Sequence, residues 1–288
     1  MKKDTKILVT GGLGFIGSNL VDTLVKEGYT NITVIDNLSS LSSNRKYMQP
    51  SVRYLLQNVK YMQTHFEYDY KVIFHLAALA RIQPSFEQPY KTLDNNIMGT
   101  IAIANFARLC KAKLVYAGSS SAYAGIRKSP YAFSKWSGEE VILMYHEVYN
   151  LNYNIARFFN VYGNRQPMKG EFAPVIGKFM TQYLVGERLT VVGDGEQKRD
   201  FTHVNDICQG LIVMSTLEKQ GIYNLGTGLN YTINEIALTF KDDIIHIPER
   251  LGEARTSLAN ISMTEKDFNW VPKWNLINYI ESWKIDQQ

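Results

Sequence analysis

The sequence predicts an α/β fold in which a doubly wound parallel sheet carries helices on both faces. Short β-rich runs alternate with helical patterns through the first 160 residues. These runs are continuously apolar, as is typical of strands buried on both faces. Beyond residue 160, turn-rich stretches at 163–167 and 193–195 separate shorter elements. We therefore expect a large domain over 1–160, a smaller C-terminal α/β region over 161–288, and a return of the chain to the sheet near 204–226.

The first predicted strand, Lys6–Thr10, leads directly into a glycine turn and a helix over Phe15–Glu27. The turn carries Gly11, Gly14 and Gly17, a spacing that is a variant of the dinucleotide fingerprint. Glycines there let backbone N–H groups approach a diphosphate at the N-terminus of the helix, where the helix dipole favours negative charge. An ordinary turn is the alternative interpretation.

The second predicted strand, Ile32–Ile35, ends at Asp36. This carboxylate lies about twenty residues beyond the glycines, the spacing at which an acid binds a ribose 2′-hydroxyl. An acid at this position would repel a 2′-phosphate, so the pattern favours NAD over NADP. The alternative role for Asp36 is to cap a turn or helix.

The later elements continue the alternation and place polar residues at one edge of the sheet. Ala77 follows the fourth strand and Ser119 the fifth, and ligands of such sheets bind at the carboxyl ends of the strands. The further predicted strands are Val52–Leu56, Lys71–His75, Leu114–Ala117 and Tyr153–Arg157. The further predicted helices are Leu93–Cys110, Tyr131–Tyr149 and Val204–Leu217. The run Gly221–Gly226 is expected to return to the sheet.

Tyr131 and Lys135 lie four residues apart, which places a phenol and an ammonium on one face of a helix. A phenol has a pKa of about 10, so it is a poor base at neutral pH unless a nearby cation favours the phenolate. We expect Lys135 to be that cation. Ser119 and Ser120, upstream of Tyr131, offer hydroxyls that could pass a substrate proton to the phenolate, or that could instead cap a helix.

Composition excludes several classes of protein. Of the 288 residues, 45% are apolar and 20% charged, and the net charge of +4 is spread along the chain without a basic block. This suits a small anionic substrate and gives no nucleic-acid signature. The sequence has no metal-ligand spacing of His and Cys and no apolar run that could cross a bilayer. Asp4 interrupts any signal-peptide pattern, so we expect a cytoplasmic protein without a membrane partner.

Together these motifs resemble those of the extended short-chain dehydrogenase/reductases, and most closely the nucleotide-sugar 4-epimerases of the UDP-glucose and UDP-N-acetylglucosamine type. The resemblance covers nearly the whole chain. The matching stretches are Thr10–Gly17, Asp36–Ser39, His75–Ala78, Asn95, Asn96, Gly99, Thr100, Arg157–Gly163, Gly193–Val204 and Arg250–Glu253. It implies an NAD-binding Rossmann domain over 1–160, a nucleotide-sugar-binding region over 161–288, and a homodimer.

The resemblance also implies a role for each matching residue. On the cofactor side, Gly11, Gly14, Phe15 and Ile16 would line the pyrophosphate, Asp36 and Asn37 would hold the adenosine ribose, Leu76, Ala77, Ala78 and Asn95 would follow the rest of NAD, and Lys135 would bind the nicotinamide ribose. On the substrate side, Asn160, Arg199 and Arg250 would contact the diphosphate of a UDP-sugar, and Ser119, Tyr131 and Ser257 would contact the sugar.

The implied reaction is NAD-dependent epimerisation at C4 of a UDP-sugar through a 4-keto intermediate, with Tyr131 as base assisted by Ser119 or Ser120. Alternatives within the family are a UDP-glucuronate epimerase, with Arg81 or Arg127 meeting the sugar carboxylate, a 4,6-dehydratase and a decarboxylase. A non-catalytic NAD-sensing protein is the alternative of another class. The chain departs from the family pattern at Asn58, at Ala80 and in the short 121–131 segment, whereas small Ser257 favours room for an N-acetyl group.

Overall fold

The continuously apolar runs of the first half form a parallel sheet. The computed structural model describes residues 1–40, 43–64, 68–170 and 173–287. The strands are β1 (Ile7–Thr10), β2 (Ile32–Asp36), β3 (Arg53–Leu56), β4 (Val72–His75), β5 (Lys113–Ser119), β6 (Tyr153–Phe158), β7 (Val161–Tyr162), β8 (Leu189–Val192), β9 (Lys198–Asp200), β10 (Thr202–His203), β11 (Ile222–Leu225), β12 (Asn230–Thr232) and β13 (Ile244–Ile247).

The helices alternate with these strands through the first half of the chain. They are α1 (Phe15–Lys26), α2 (Ile82–Glu87), α3 (Pro89–Leu93), α4 (Gly99–Cys110), α5 (Ser121–Ala124), α6 (Pro130–Tyr149), α7 (Val175–Leu184), α8 (Val204–Met214), α9 (Ile233–Phe240), α10 (Ser262–Phe268) and α11 (Leu276–Ile285). Among the described residues, no helix combines the length and the apolar character needed to cross a membrane.

The described strands of the large sheet run in the order β11-β6-β5-β4-β1-β2-β3, and neighbouring strands are parallel. The predicted Rossmann-type fold class is confirmed. Two apolar clusters cover the sheet: one lies between its strands and α1 and α8, and the other between its strands and α4 and α6. A third cluster lies among β8, α7, α9 and α11.

One predicted helix is divided in the structure. The pattern over Leu93–Cys110 indicates a continuous helix, but a π-helical turn at Asp94–Met98 precedes α4. The buried Asn96 lies in this wider turn, and its side-chain amide accepts a hydrogen bond from Leu79 N (2.8 Å) and donates one to Ser134 Oγ (2.9 Å). The turn thus ties the segment after β4 to α6, beside the predicted site.

The chain leaves the large sheet after β6 and returns to it at β11, before it forms β12, β13 and α9 to α11. β11 pairs with β6 in parallel register, with Ile222 opposite Ile155 and Leu225 opposite Phe158. Next to it, α8 packs against α1 on one face of the sheet. The strands β7 to β10, which precede β11, and β12 and β13, which follow it, form small two-stranded sheets, which pair β10 with β7, β12 with β9 and β13 with β8.

Candidate active site

A cavity of about 580 Å³ lies at the carboxyl ends of the central strands, where the large sheet meets the C-terminal elements. All of the site residues that the sequence analysis predicts line it. They are Gly11, Gly14, Phe15, Ile16, Asp36, Asn37, Leu76, Ala77, Ala78, Asn95, Ser119, Ser120, Tyr131, Lys135, Asn160, Arg199, Arg250 and Ser257. Residues from both halves of the sequence therefore border one space.

The glycine turn leaves no room for side chains where it meets the cavity. Gly11 has a left-handed φ of +70°, and a Cβ on it would lie 2.8 Å from Ala77 N. A Cβ on Gly17 would lie 2.1 Å from Gly11 O, so α1 packs directly on the turn. Gly14 precedes the first residue of α1 and provides no side-chain cap. The N-terminal N–H groups of α1 therefore border a cradle that suits the diphosphate of NAD.

Asp36 has the capping role that its sequence position allows, and its role toward a ribose stays a prediction. The carboxyl group is 5% exposed; Oδ2 accepts a hydrogen bond from Leu13 N (3.0 Å) and Oδ1 accepts one from Leu38 N (2.8 Å). It thereby fixes the glycine turn against β2. Each carboxylate oxygen accepts more than one hydrogen bond, so Asp36 retains the capacity to bind a ribose hydroxyl in the cavity. Asn58, in contrast, uses its Oδ1 to accept from Lys60 N (3.0 Å).

Tyr131 lies in the first turn of α6, which begins with a strong local signal. Ser129 Oγ accepts a hydrogen bond from Ala132 N (3.1 Å), and Pro130 occupies the first helical position. The helix start directs the Tyr131 hydroxyl toward the end of β5, where it donates to Ser119 Oγ at 3.4 Å. Ser121 Oγ also donates to Ser119 Oγ, at 2.9 Å. The geometry thus selects Ser119, rather than Ser120, as the serine beside the phenol.

That Lys135 favours the phenolate of Tyr131 stays a prediction. Burial raises the pKa of Tyr131, and the two influences that oppose it are the Ser119 hydrogen bond and the charge of Arg81. Lys135 is buried, and its Nζ lies 4.1 Å from the centre of the Tyr116 ring. Burial lowers the pKa of Lys135 to about 7, against the attraction of Glu139 one helical turn further on.

Arg81 is a cavity residue to which the sequence analysis gave only a conditional role. It lines the cavity, and its charge and that of an ionised Tyr131 attract each other. Arg127, the other arginine considered for a sugar carboxylate, is exposed to solvent. Lys135 and Arg81 therefore place two basic side chains in the cavity that Tyr131 also lines.

The C-terminal elements also contribute basic side chains to the cavity. Arg199, with a side chain 12% exposed, lies with its Nη2 3.6 Å from Glu253 Oε2. Arg250 and the half-buried Lys178 of α7 border the same space, and burial together with the charge of Arg250 lowers the pKa of Lys178. With Glu253 as counter-ion, three basic side chains leave an excess of positive charge suited to a diphosphate. The sequence analysis missed Lys178, which interrupts an otherwise apolar helical run.

Buried Asp200 holds the chain around Ser257 and Asn160. Its carboxylate accepts hydrogen bonds from Thr227 N (2.9 Å), Gly228 N (3.0 Å) and Ala259 N (3.1 Å). Its backbone N–H donates to Ser257 O (3.0 Å), and its carbonyl accepts from Asn160 Nδ2 (2.8 Å). One buried carboxylate therefore fixes the wall that carries two predicted substrate contacts.

A buried histidine supports the floor of the cavity at the end of β4. His75 Nδ1 lies 2.8 Å from Thr10 Oγ1, and Nε2 lies 3.2 Å from Thr100 Oγ1. Burial and the charge of Lys135 lower the pKa of His75 to about 3. Burial likewise lowers the pKa of His203, in the C-terminal elements, to about 4.

Because these two histidines have lowered pKa values, we expect mild acid to destabilise the folded protein. Their pKa values in the folded state lie below the unfolded value of about 6.5, so the unfolded chain binds more protons as the pH falls from about 6.5 toward 4. The free energy of unfolding should therefore decrease over this interval, by at most about 1.4 kcal/mol per pH unit for each histidine. Urea denaturation at a series of pH values measures it. We expect His75→Gln to flatten the dependence and His246→Gln, at an exposed position, to leave it unchanged; equal slopes in all three proteins would contradict the assignment.

The sequence of this chain is similar to that of a known protein family. The sequence profile of the NAD dependent epimerase/dehydratase family matches residues 7–226. The chain is 33% identical over 293 residues to a putative UDP-glucose 4-epimerase of Methanocaldococcus jannaschii, with 94% of each chain covered.

Two solved structures have the same fold over nearly the whole chain. A UDP-glucose 4-epimerase of Thermotoga maritima with UDP-glucose has a TM-score of 0.90 and 27% identity, and the match covers 99% of this chain and 100% of that one. A UDP-N-acetylglucosamine 4-epimerase of Methanobrevibacter ruminantium, in complex with UDP-N-acetylmuramic acid, has a TM-score of 0.88 and 30% identity, with 99% of each chain covered.

Proposed function

This chain belongs to the NAD dependent epimerase/dehydratase family, and from that premise we propose that it is a UDP-sugar 4-epimerase. It would interconvert UDP-glucose with UDP-galactose, or the corresponding N-acetyl sugars, through a transient 4-keto sugar. The observation that carries the proposal is the pairing of Tyr131 with Ser119 in a cavity that Arg199 and Arg250 also line.

NAD is the cofactor, and when bound it supplies a reversible acceptor for the hydride from C4 of the sugar. The residues of this chain would hold and orient it. The cradle at Gly11, Gly14 and Gly17 would receive the diphosphate, and Asp36 would bind the adenosine ribose. Lys135 would bind the nicotinamide ribose, as the family resemblance implies.

The acid–base work would belong to Tyr131 and Ser119. Ser119 Oγ is positioned to accept the proton of the sugar 4-hydroxyl while its own proton passes to Tyr131 Oη, 3.4 Å away. The same pair would return the proton once the 4-keto sugar has presented its other face. A 4,6-dehydratase needs an acid and base pair near this position, and Ser120 and Ser121 provide neither.

The basic side chains of the C-terminal elements would anchor the substrate while the sugar turns. Arg199 and Arg250 carry guanidinium groups that remain charged at all relevant pH values and bind phosphate through paired hydrogen bonds. An anchored diphosphate with a rotating sugar lets one phenol serve both faces of C4. Arg250→Gln and Arg199→Gln would separate anchoring from chemistry, because each should raise the KM for the nucleotide sugar more than it lowers kcat.

The small side chain at residue 257 should affect which sugar the cavity accepts. Ser257 lines the cavity, and its Oγ is buried without a hydrogen-bond partner among the described residues. Its backbone is fixed, because Ser257 N donates to Lys198 O at 3.0 Å. We expect Ser257→Tyr to reduce kcat/KM for UDP-N-acetylgalactosamine at least about tenfold, because the ring would occupy the space of the acetamido group, while UDP-galactose is retained. Ser257→Ala is the control and should accept both sugars; equal losses on both sugars in Ser257→Tyr would argue against a sugar-facing position.

Incubation of the protein and NAD with UDP-galactose or UDP-N-acetylgalactosamine tests the proposed function. Proton NMR should show the C4 epimer, and in D₂O the product should carry no deuterium at C4, because the hydrogen removed from that carbon is returned to it. Release of water or of CO₂ would identify the dehydratase or decarboxylase alternatives. Normal NAD binding without turnover of any nucleotide sugar would identify a non-catalytic NAD-sensing protein.

The position of Arg81 favours a second candidate, epimerisation of a UDP-uronic acid. Arg81 lines the cavity that Tyr131 also lines, and a sugar carboxylate that reached it would be attracted to the guanidinium. UDP-glucuronate therefore belongs in the substrate panel. A kcat/KM for UDP-glucuronate above those of the neutral sugars would favour this candidate.

Two helices suggest how the chain would form the expected homodimer. α4 and α6 pack side by side and expose apolar side chains at Leu109, Phe133, Met144 and Val148. An isologous contact through these faces would bury them in a four-helix interface. Light scattering on the purified protein should then give twice the 32.9 kDa mass of the chain.

A further inference from the structure

We propose that Gln83 is a positioning residue for Arg250: it holds the segment 250–257 across the cavity, so that the Arg250 guanidinium is in place before a diphosphate binds. We call this segment the strap. The inference rests on the proposed function, in which Arg250 contacts the diphosphate of the substrate. It depends on a contact between Gln83 and Leu251, which lie 168 positions apart in the sequence.

The two ends of the strap are attached to the C-terminal elements. Before it, β13 pairs with β8, and Gly193 N donates a hydrogen bond to Ile247 O (2.8 Å). At its far end, Lys198 N donates to Arg255 O and Ser257 N donates to Lys198 O, both at 3.0 Å. Residues 248–254 therefore bridge two points at which the backbone is fixed.

The middle of the strap contacts the half of the molecule that contains the large sheet. Gln83 Nε2, in α2, donates a hydrogen bond to Leu251 O at 2.9 Å. The next residue, Gly252, has a left-handed φ of +77°, and a Cβ on it would lie 2.9 Å from Phe86 Cζ and 3.1 Å from Lys128 O. The backbone of the strap therefore packs directly on α2 and on the loop that precedes α6.

The helix α2 also contacts the residue proposed as the base. Ser85, which is 1% exposed, accepts a hydrogen bond at its Oγ from Tyr131 N (3.2 Å), and its hydroxyl donates to Ile82 O (2.6 Å). Gln83 belongs to the same short helix. Through α2, the backbone that carries Arg250 is therefore joined to the first turn of α6, and the side chains of Arg250 and Tyr131 border one cavity.

A strap that is held in this way should bind a diphosphate more tightly than a free one. Ordering a backbone costs free energy, and a site that must be ordered on binding loses that free energy from its affinity. The contacts of Leu251 and Gly252 with α2 order the residues that directly follow Arg250. They also fix the backbone near Glu253, whose Oε2 lies 3.6 Å from Arg199 Nη2. The strap therefore positions one phosphate-binding arginine and the counter-ion of the other.

A double-mutant cycle on UDP binding, measured by calorimetry in the NAD-bound protein, tests this coupling. Gln83→Met keeps the length of the side chain but removes the N–H donor, and we expect it to weaken UDP binding about 3- to 10-fold, the effect of one hydrogen bond. If Gln83 acts through Arg250, adding Gln83→Met to Arg250→Gln should change the affinity by less than about twofold. Gln209→Met is the matched control, because it removes an exposed amide that donates to Glu27 Oε1 (3.0 Å), and it should bind UDP like the wild type.

Gly252 provides a second variant of the same contact. Alanine there would meet Phe86 and would have to adopt a left-handed conformation, so the strap must move away from α2. We expect Gly252→Ala to weaken UDP binding at least about tenfold and to leave NAD binding unchanged. Gly28→Ala carries the same conformational strain, at φ +85°, but no atom of the described residues lies within 4 Å of its Cβ. This control should bind UDP like the wild type.

Trypsin provides a readout that needs no ligand. Cleavage of a folded chain requires local opening, so the rate of cleavage after Arg250 reports how often the strap opens. Mass spectrometry identifies the fragment. We expect this cleavage to be at least about threefold faster in Gln83→Met than in Gln209→Met, and UDP should slow it in the wild type.

Each other outcome overturns the inference. Additive losses in the cycle would show that Gln83 affects UDP independently of Arg250. Equal cleavage rates in Gln83→Met and Gln209→Met would show that the hydrogen bond does not hold the strap. Equal losses of NAD and UDP binding in Gln83→Met would indicate a general disturbance of the cavity. Absence of UDP binding in the wild type would refute the proposed function, whereas the cleavage rates would still decide whether Gln83 holds the strap.

Discussion

Replacing Tyr131 with Phe is expected to lower kcat by about 10³-fold while NAD and UDP still bind. The substitution removes one hydroxyl, the group that lies 3.4 Å from Ser119 Oγ and would exchange the substrate proton. General acid–base groups typically contribute about 10²- to 10⁴-fold to the rate, and this proton transfer has no second base beside it in the proposed mechanism. The backbone at residue 131 keeps its place, because its N–H remains bonded to Ser85 Oγ.

A second cavity phenol provides the matched control for this experiment. The hydroxyl of Tyr123 donates to Asn224 Oδ1 (2.8 Å), and its ring lies 4.7 Å from the guanidinium of Arg157. Tyr123→Phe removes the same atom from the same cavity, and we expect its kcat to stay within a few-fold of the wild type. Calorimetric titration with NAD and with UDP measures binding in all three proteins. Turnover by Tyr131→Phe comparable to that of Tyr123→Phe would remove Tyr131 from the chemistry.

Replacing Gly17 with Ala is expected to destabilise the protein strongly and to weaken NAD binding. The new Cβ would lie 2.1 Å from Gly11 O and 2.8 Å from Gly12 Cα, which are backbone atoms that cannot rotate away. Either α1 must move off the turn or the turn must open, and both disturb the cradle for the diphosphate. We expect the free energy of unfolding to fall by about 3 kcal/mol. We also expect the affinity for NAD to fall at least about tenfold, because the N–H groups at the start of α1 would be displaced.

Gly99→Ala separates this effect from the general consequence of adding a methyl group to a helix. Gly99 begins α4 with ordinary helical dihedral angles, and its Cβ would meet only the side-chain atom Val59 Cγ2, at 3.1 Å. Chemical denaturation should find Gly99→Ala within about 1 kcal/mol of the wild type, because alanine favours the helix and the contact is adjustable. If Gly17→Ala binds NAD as well as Gly99→Ala does, the close packing of α1 on the turn is not needed for the cofactor.

Local sequence signals were sufficient to predict the strands of the parallel sheet, the start of α6 and the sheet edge at which several cavity residues lie. Gly11, Asp36 and Ser119 each follow a buried strand directly, so a parallel sheet brings them to one edge whatever the details of packing. Tyr131 lies in the first turn of a helix that Ser129 and Pro130 begin. These features depend on residues a few positions apart, and the sequence displays them without knowledge of the fold.

Features that depend on contacts between residues far apart in the sequence could not be predicted from it. The spacing of Tyr131 and Lys135 is correct for one helix face, but it does not reveal that the ammonium of Lys135 lies over the ring of Tyr116. Arg81 lies 50 positions before Tyr131, and the Ser85 bond that joins their elements has no signature in the sequence. The π-helical turn at Asp94–Met98 likewise depends on partners of Asn96 in two other segments.

The late return of the chain to its main sheet restricts how the molecule could be divided. A fragment that stopped at residue 160 would keep the glycine cradle and Tyr131 but would lack β11. The backbone groups on the outer edge of β6 would then be unpaired and could pair with a strand of another molecule. It would also lack α8, which covers apolar residues of α1. The C-terminal elements lie on both sides of β11 in the sequence. A chimera that takes its C-terminal elements from a relative would therefore need two separate replacements, one before β11 and one after it, instead of a single junction.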